Sequence, residues 1–60
     1  MFYIMGESCD GNYYEFPSLS KTLEEVKEEC QELLETLDGG SFDIYVITND
    51  KDVYVDTVEY

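Results

Sequence analysis

Apolar and acidic positions separate most sharply between Thr22 and Leu37, TLEEVKEECQELLETL. At about 100° per residue, Leu23, Val26, Cys30, Leu33, Leu34 and Leu37 fall within one arc of roughly 100°. Glu24, Glu25, Glu28, Glu29, Glu32 and Glu35 fall within an opposite arc of about 140°. The pattern predicts an amphipathic helix with one face buried and the other a block of negative charge. Thr22, with Glu25 three residues on, fits a capping box at its start. Asp38-Gly39-Gly40 ends it, with Gly39 or Gly40 expected to supply the left-handed residue, and Leu19 is expected to pack back on the first turn.

Elsewhere the period is two. Met1–Met5 reads as a strand stopped by Gly6, with Phe2 and Ile4 on one face and Tyr3 and Met5 on the other. Asp10-Gly11 is the expected reversal, followed by a strand from Tyr13 to Phe16 that Pro17 ends. A two-residue turn there would pair Met5 with Phe16, so a bulge near Gly6 is needed to keep Ile4 inside. Ser41–Thr48 and Val53–Tyr60 form a second hairpin about Asp50-Lys51, with Val46 facing Val55 and Ile47 facing Tyr54. The fold expected is α+β in the order ββαββ: residues 1–60 as a single domain, a four-stranded antiparallel sheet with one amphipathic helix packed on one face. Phe2, Ile4, Tyr14, Phe16, Phe42, Ile44, Val46, Val53 and Val55 would lie under the helix. The uncovered side would hold Tyr3, Met5, Tyr13, Tyr45, Ile47, Tyr54, Val58 and Tyr60.

Charge adds a second constraint. Fifteen acidic residues against 3 lysines, with no histidine, give a formal net charge of -12. Solubility of a small domain needs a magnitude of only about 2–8. With so few cations to neutralise phosphates, direct binding to nucleic acid or to an anionic membrane is strongly disfavoured, and a basic protein partner is favoured. At 43% hydrophobic and 15% aromatic the chain is too apolar for a disordered acidic tail. A chain of 60 residues hides only about 60% of its unfolded surface, and self-association is a natural remedy. The longest apolar run, Met1–Met5, is too short to span a membrane, and the location expected is cytoplasmic.

Catalysis finds little to work with. There is no imidazole base or histidine ligand, and no cationic neighbour in the sequence to activate Cys9 or Cys30. Cys30 lies on the apolar helix face, where a reduced, structural thiol is the expected reading and a Cys9–Cys30 bridge the alternative. Asn49-Asp50-Lys51-Asp52 and Asp10-Gly11-Asn12 offer oxygen ligands but lack the helix–loop–helix frame and distal glutamate of a calcium loop. The reading is a non-enzyme without cofactor or metal site.

Two surfaces remain. The glutamate face, Glu24, Glu25, Glu28, Glu29, Glu32 and Glu35, has a linear charge density comparable to one strand of duplex DNA. The tyrosine face, Tyr3, Tyr13, Tyr45, Ile47 and Tyr54, offers apolar area with hydroxyls that tolerate water, suited to a partner or to a homodimer. In size, acidity and lack of catalytic signature the chain resembles the small acidic proteins that phages make to block host defence or DNA-handling proteins, some of them DNA mimics. The resemblance is one of composition. It implies an anti-defence inhibitor that turns an acidic helix face against a basic site on a nucleic-acid-handling or defence protein. The alternative expectation is a small homodimeric structural or interaction module that binds through its tyrosine face.

Overall fold

In the computed structural model residues 1–18 and 22–60 are described, so the expected contact of Leu19 lies outside the described residues. Helix α1 runs Leu23–Thr36 with Thr22 as its N-cap, where the Thr22 hydroxyl accepts from the Glu25 amide at 3.2 Å. It turns Val26, Cys30 and Leu34 fully inward. At its other end Leu37 is the C-cap, and Asp38, not a glycine, takes the first left-handed position, with φ 63. The Asp38 and Gly39 amides donate to the Glu35 and Leu34 carbonyls at 3.3 and 2.8 Å, the two bonds of a Schellman motif. Aspartate can hold this conformation because its short polar side chain tolerates the left-handed region better than most.

The strands are β1 (Phe2–Ser8), β2 (Tyr13–Ser18), β3 (Gly40–Ile47) and β4 (Asp52–Glu59). They form one antiparallel sheet in the order β2-β1-β3-β4, and α1 packs across β3 and β4 on one face of it. The predicted ββαββ architecture is therefore the one observed. Ile4, Val26, Cys30, Leu34, Phe42 and Ile44 are fully buried, and Phe2, Tyr14, Phe16, Leu23, Leu33, Leu37, Val55 and Val58 pack around them.

Gly6 does not stop β1; the strand runs through it. Its lack of a side chain is used from across the sheet: a Cβ at Gly6 would strike the Ser41 carbonyl and lie 2.6 Å from Phe42 Cδ1. The Phe42 ring takes that space, with Tyr14 and Phe16 meeting it edge-on at centroid distances of 6.2 and 6.0 Å. Nor is there a bulge at Gly6. Ile4 pairs directly with Phe16, because the turn is longer than two residues: Ser8 and Asn12 are joined by a backbone bond of 2.9 Å, and Gly11, at φ 92, supplies the extra left-handed residue. Pro17 likewise lies inside β2, which its place on an edge strand permits.

The second hairpin also differs from its predicted register. Its turn sits one residue earlier, centred on Asn49-Asp50 and closed by the Thr48 amide donating to the Lys51 carbonyl at 3.1 Å, so that Ile47 pairs with Asp52, Val46 with Val53 and Tyr45 with Tyr54. A bulge then intervenes, so that Ile44 pairs with Asp56 and Phe42 with Val58. The extra residue, Val55, and Asp56 both end up on the helix side, and alternation beyond them is inverted. Val58 therefore packs on the core instead of lying outside, and Tyr60, paired with Gly40 by backbone bonds of 3.1 and 3.3 Å, follows Val58 in parity. Val46 and Val53 keep the expected parity, but Val53, near the hairpin end, is 42% exposed.

Replacing Gly6 by alanine should cost about 1–3 kcal/mol, since Phe42 has no second place for its ring between Tyr14 and Phe16. Chemical denaturation of the two forms measures this. Unchanged stability would show that the ring is not seated on Gly6.

Candidate functional site

Glu24, Glu25, Glu28, Glu29, Glu32 and Glu35 are all exposed on α1. Two of the carboxylates are hydrogen-bonded: Glu25 accepts from the Thr22 hydroxyl at 3.0 Å and Glu29 from the Ser18 hydroxyl at 2.6 Å. No cation lies in the last turn of the helix. The lysine that α1 does carry, Lys27, reaches to the sheet and pairs with Asp56 of β4. That pairing leaves the glutamate face without internal compensation from its own helix. Strict alternation from Tyr54 would put Asp56 on the outer face; the bulge after Tyr45/Tyr54 swings it under α1, so that sequence parity could not reveal the pair.

The hydrogen bond from Lys27, the Thr57 amide at 2.8 Å and the lysine's charge hold the Asp56 carboxyl below its ordinary value, against a smaller opposing effect of desolvation. Asp10, bonded by the Ser8 hydroxyl and the Asn12 amide in the first turn, is lowered as well. Cys30 is buried in the core, and desolvation followed by the nearby Glu29 charge raises its thiol to about 11; Cys9 is exposed, with its sulfur 3.2 Å from the Asp38 carbonyl oxygen. Both thiols are free.

On the opposite face of the sheet stand Tyr3, Tyr13, Tyr45, Ile47 and Tyr54, together with Met5. Tyr14 and Tyr60 do not join them. Tyr45 and Tyr54 meet edge-on at 5.8 Å, and Tyr13 donates to Glu15 at 3.2 Å. Partial desolvation, that bond and the Glu15 charge, with lesser contributions from Tyr3 and Tyr45, hold the Tyr13 hydroxyl above its ordinary value. Asp43 accepts from the Thr57 hydroxyl at 2.7 Å, and Thr57 lies 2.6 Å from the Tyr54 hydroxyl. Since the Thr57 proton goes to Asp43, Tyr54 is the donor in the second bond, and a relay fixes the carboxylate at the middle of the face. Sequence reading missed this relay because the bulge, not simple alternation, brings Thr57 beside Asp43.

Among the described residues there is no surface pocket, no cluster of three or more possible metal ligands, and no helix long and apolar enough to cross a membrane. No known protein family, characterised protein or solved structure gives a significant match to the chain.

The Lys27–Asp56 pair fixes a pH dependence. A carboxyl whose folded pKa lies below its unfolded value stabilises the fold above about pH 4, and that contribution is lost as pH falls through the folded value. Asp56→Asn should therefore be less stable than the parent near neutral pH and show a shallower loss between about pH 4 and pH 2. Melting curves across that window compare the two, and parallel curves would mean that the pair contributes nothing.

Proposed function

We propose that the chain is a non-enzymatic, protein-binding inhibitor that acts in the cytoplasm. Its acidic helix face occupies a basic site on a nucleic-acid-handling or defence protein, in the manner of phage anti-defence proteins that imitate DNA. The observation that supports this reading is the six-glutamate face exposed along one side of α1, whose own lysine, Lys27, turns the other way to pair with Asp56. Fourteen helical residues span about 21 Å, the length over which one strand of duplex DNA carries about six phosphates. Glu24, Glu25, Glu28, Glu29, Glu32 and Glu35 match that number along one side of the helix.

The arrangement runs against local stability. Glu24–Glu28, Glu25–Glu29 and Glu28–Glu32 are like-charge i,i+4 pairs, each costing about 0.2–0.5 kcal/mol, and Glu32 and Glu35 stand near the negative end of the helix dipole. A second reading, a homodimeric interaction module that pairs through the tyrosine face, is favoured by the exposure of Tyr13 and Tyr54 on a sheet face that no element covers among the described residues.

Changing Glu25, Glu28 and Glu32 to glutamine keeps helix propensity nearly unchanged and removes like-charge strain. The variant should be at least as stable as the parent, yet bind the basic partner recovered from a bacterial lysate about tenfold more weakly and with a smaller salt dependence. Titration at two salt concentrations, beside a thermal melt, decides the matter. Equal affinities would reduce the glutamates to a solubility device.

A further inference from the structure

The outer sheet face has an order of its own, independent of the helix on the other side. Strand register sets Tyr54, Tyr45, Tyr3 and Pro17 in one row across the sheet. The next row is Thr57, Asp43, Met5 and Glu15, and the third is Glu59, Ser41, Glu7 and Tyr13. Strands lie about 4.8 Å apart and same-face rows about 6.7 Å, so tyrosine rings and carboxylates alternate within the reach of one long side chain. Asp43 is held at the centre by the relay from Tyr54 through Thr57. Among the described residues no lysine takes a strand position on this face: Lys27 is on α1, paired with Asp56, and Lys51 is in the loop between β3 and β4.

We propose that this face docks an arginine-rich segment of a protein partner, with guanidinium groups stacked on Tyr3 and Tyr45 and paired with Asp43 and Glu15. Charge complementarity selects the occupant. The face presents electron-rich rings and carboxylates with no lysine on its described strands, and a guanidinium satisfies both, stacking on a ring through its plane and bonding a carboxylate through its fork. An ammonium makes the charge contact but not the planar stack. A second copy of the chain is the poorer occupant. It would set Glu7, Glu15, Asp43 and Glu59 against the same carboxylates of its twin, with no lysine on either described face to separate them.

Labelled oligo-arginine and oligo-lysine peptides of equal length, titrated against the full chain at moderate salt, test the assignment. Oligo-arginine should bind about tenfold more tightly, from two stacked rings and a bidentate carboxylate. Tyr3→Leu with Tyr45→Leu should erase most of that preference. Asp43→Asn, which keeps the side chain's shape and so the fold, should reduce it by about threefold. Glutamine at Glu25, Glu28 and Glu32 should weaken both peptides alike and leave the preference intact, which separates this face from the helix. Equal affinity of the two peptides for the parent overturns the proposal, as does a preference that survives the tyrosine and Asp43 variants. So does sedimentation of the protein alone as a dimer that Tyr54→Glu dissolves, since a second copy would then own the face.

Discussion

The contact between Phe42 and Gly6 sets the geometry of the whole domain. Because Gly6 offers no side chain, the Phe42 ring sinks onto β1 between the edges of Tyr14 and Phe16, and three strands are fixed in register by one aromatic group. Ile4 and Ile44 pair beside it, and Val26, Cys30 and Leu34 close over them from the helix. With six side chains fully buried, the core is small, and α1 is the only element above it among the described residues. Everything placed on the far side of the sheet is consequently left at the surface.

That arrangement explains what could be read from the sequence. The helix was legible to within a residue at each end, because a clean two-sided period and a threonine cap leave little freedom. Period two likewise gave four strands and most of the core. Errors arose where a single residue decides parity. Gly6 resembles a strand stop unless the ring that fills its space is known. Gly11 lengthens the first turn by one residue and so restores Ile4 to the inside without a bulge in the strand. The bulge at Val55 inverts the end of β4, moving Val58 inward and Asp56 under the helix. No local pattern marks it, because it is settled by what Lys27 and the core can reach.

The two exposed faces were legible to different degrees. The glutamate face follows from spacing alone, and its six members were placed without error. The tyrosine face was right in Tyr3, Tyr13, Tyr45, Ile47 and Tyr54, but its polar half, Asp43 fixed by Thr57 and Tyr54, emerges only once the bulge is known. The consequence is a body with anionic character on both sides. Lys27 spends its charge on joining helix to sheet and neutralises neither face.

A net charge of -12 on 60 residues acquires a function if the acids stand in for a phosphate backbone. The direct measurement is competition. A fluorescent DNA duplex is bound to the basic partner recovered from lysate, and the protein is titrated in while anisotropy is followed. The account predicts full displacement of the duplex, with a midpoint that rises in step with duplex concentration. A ternary complex in which the duplex stays bound at saturating protein would contradict it.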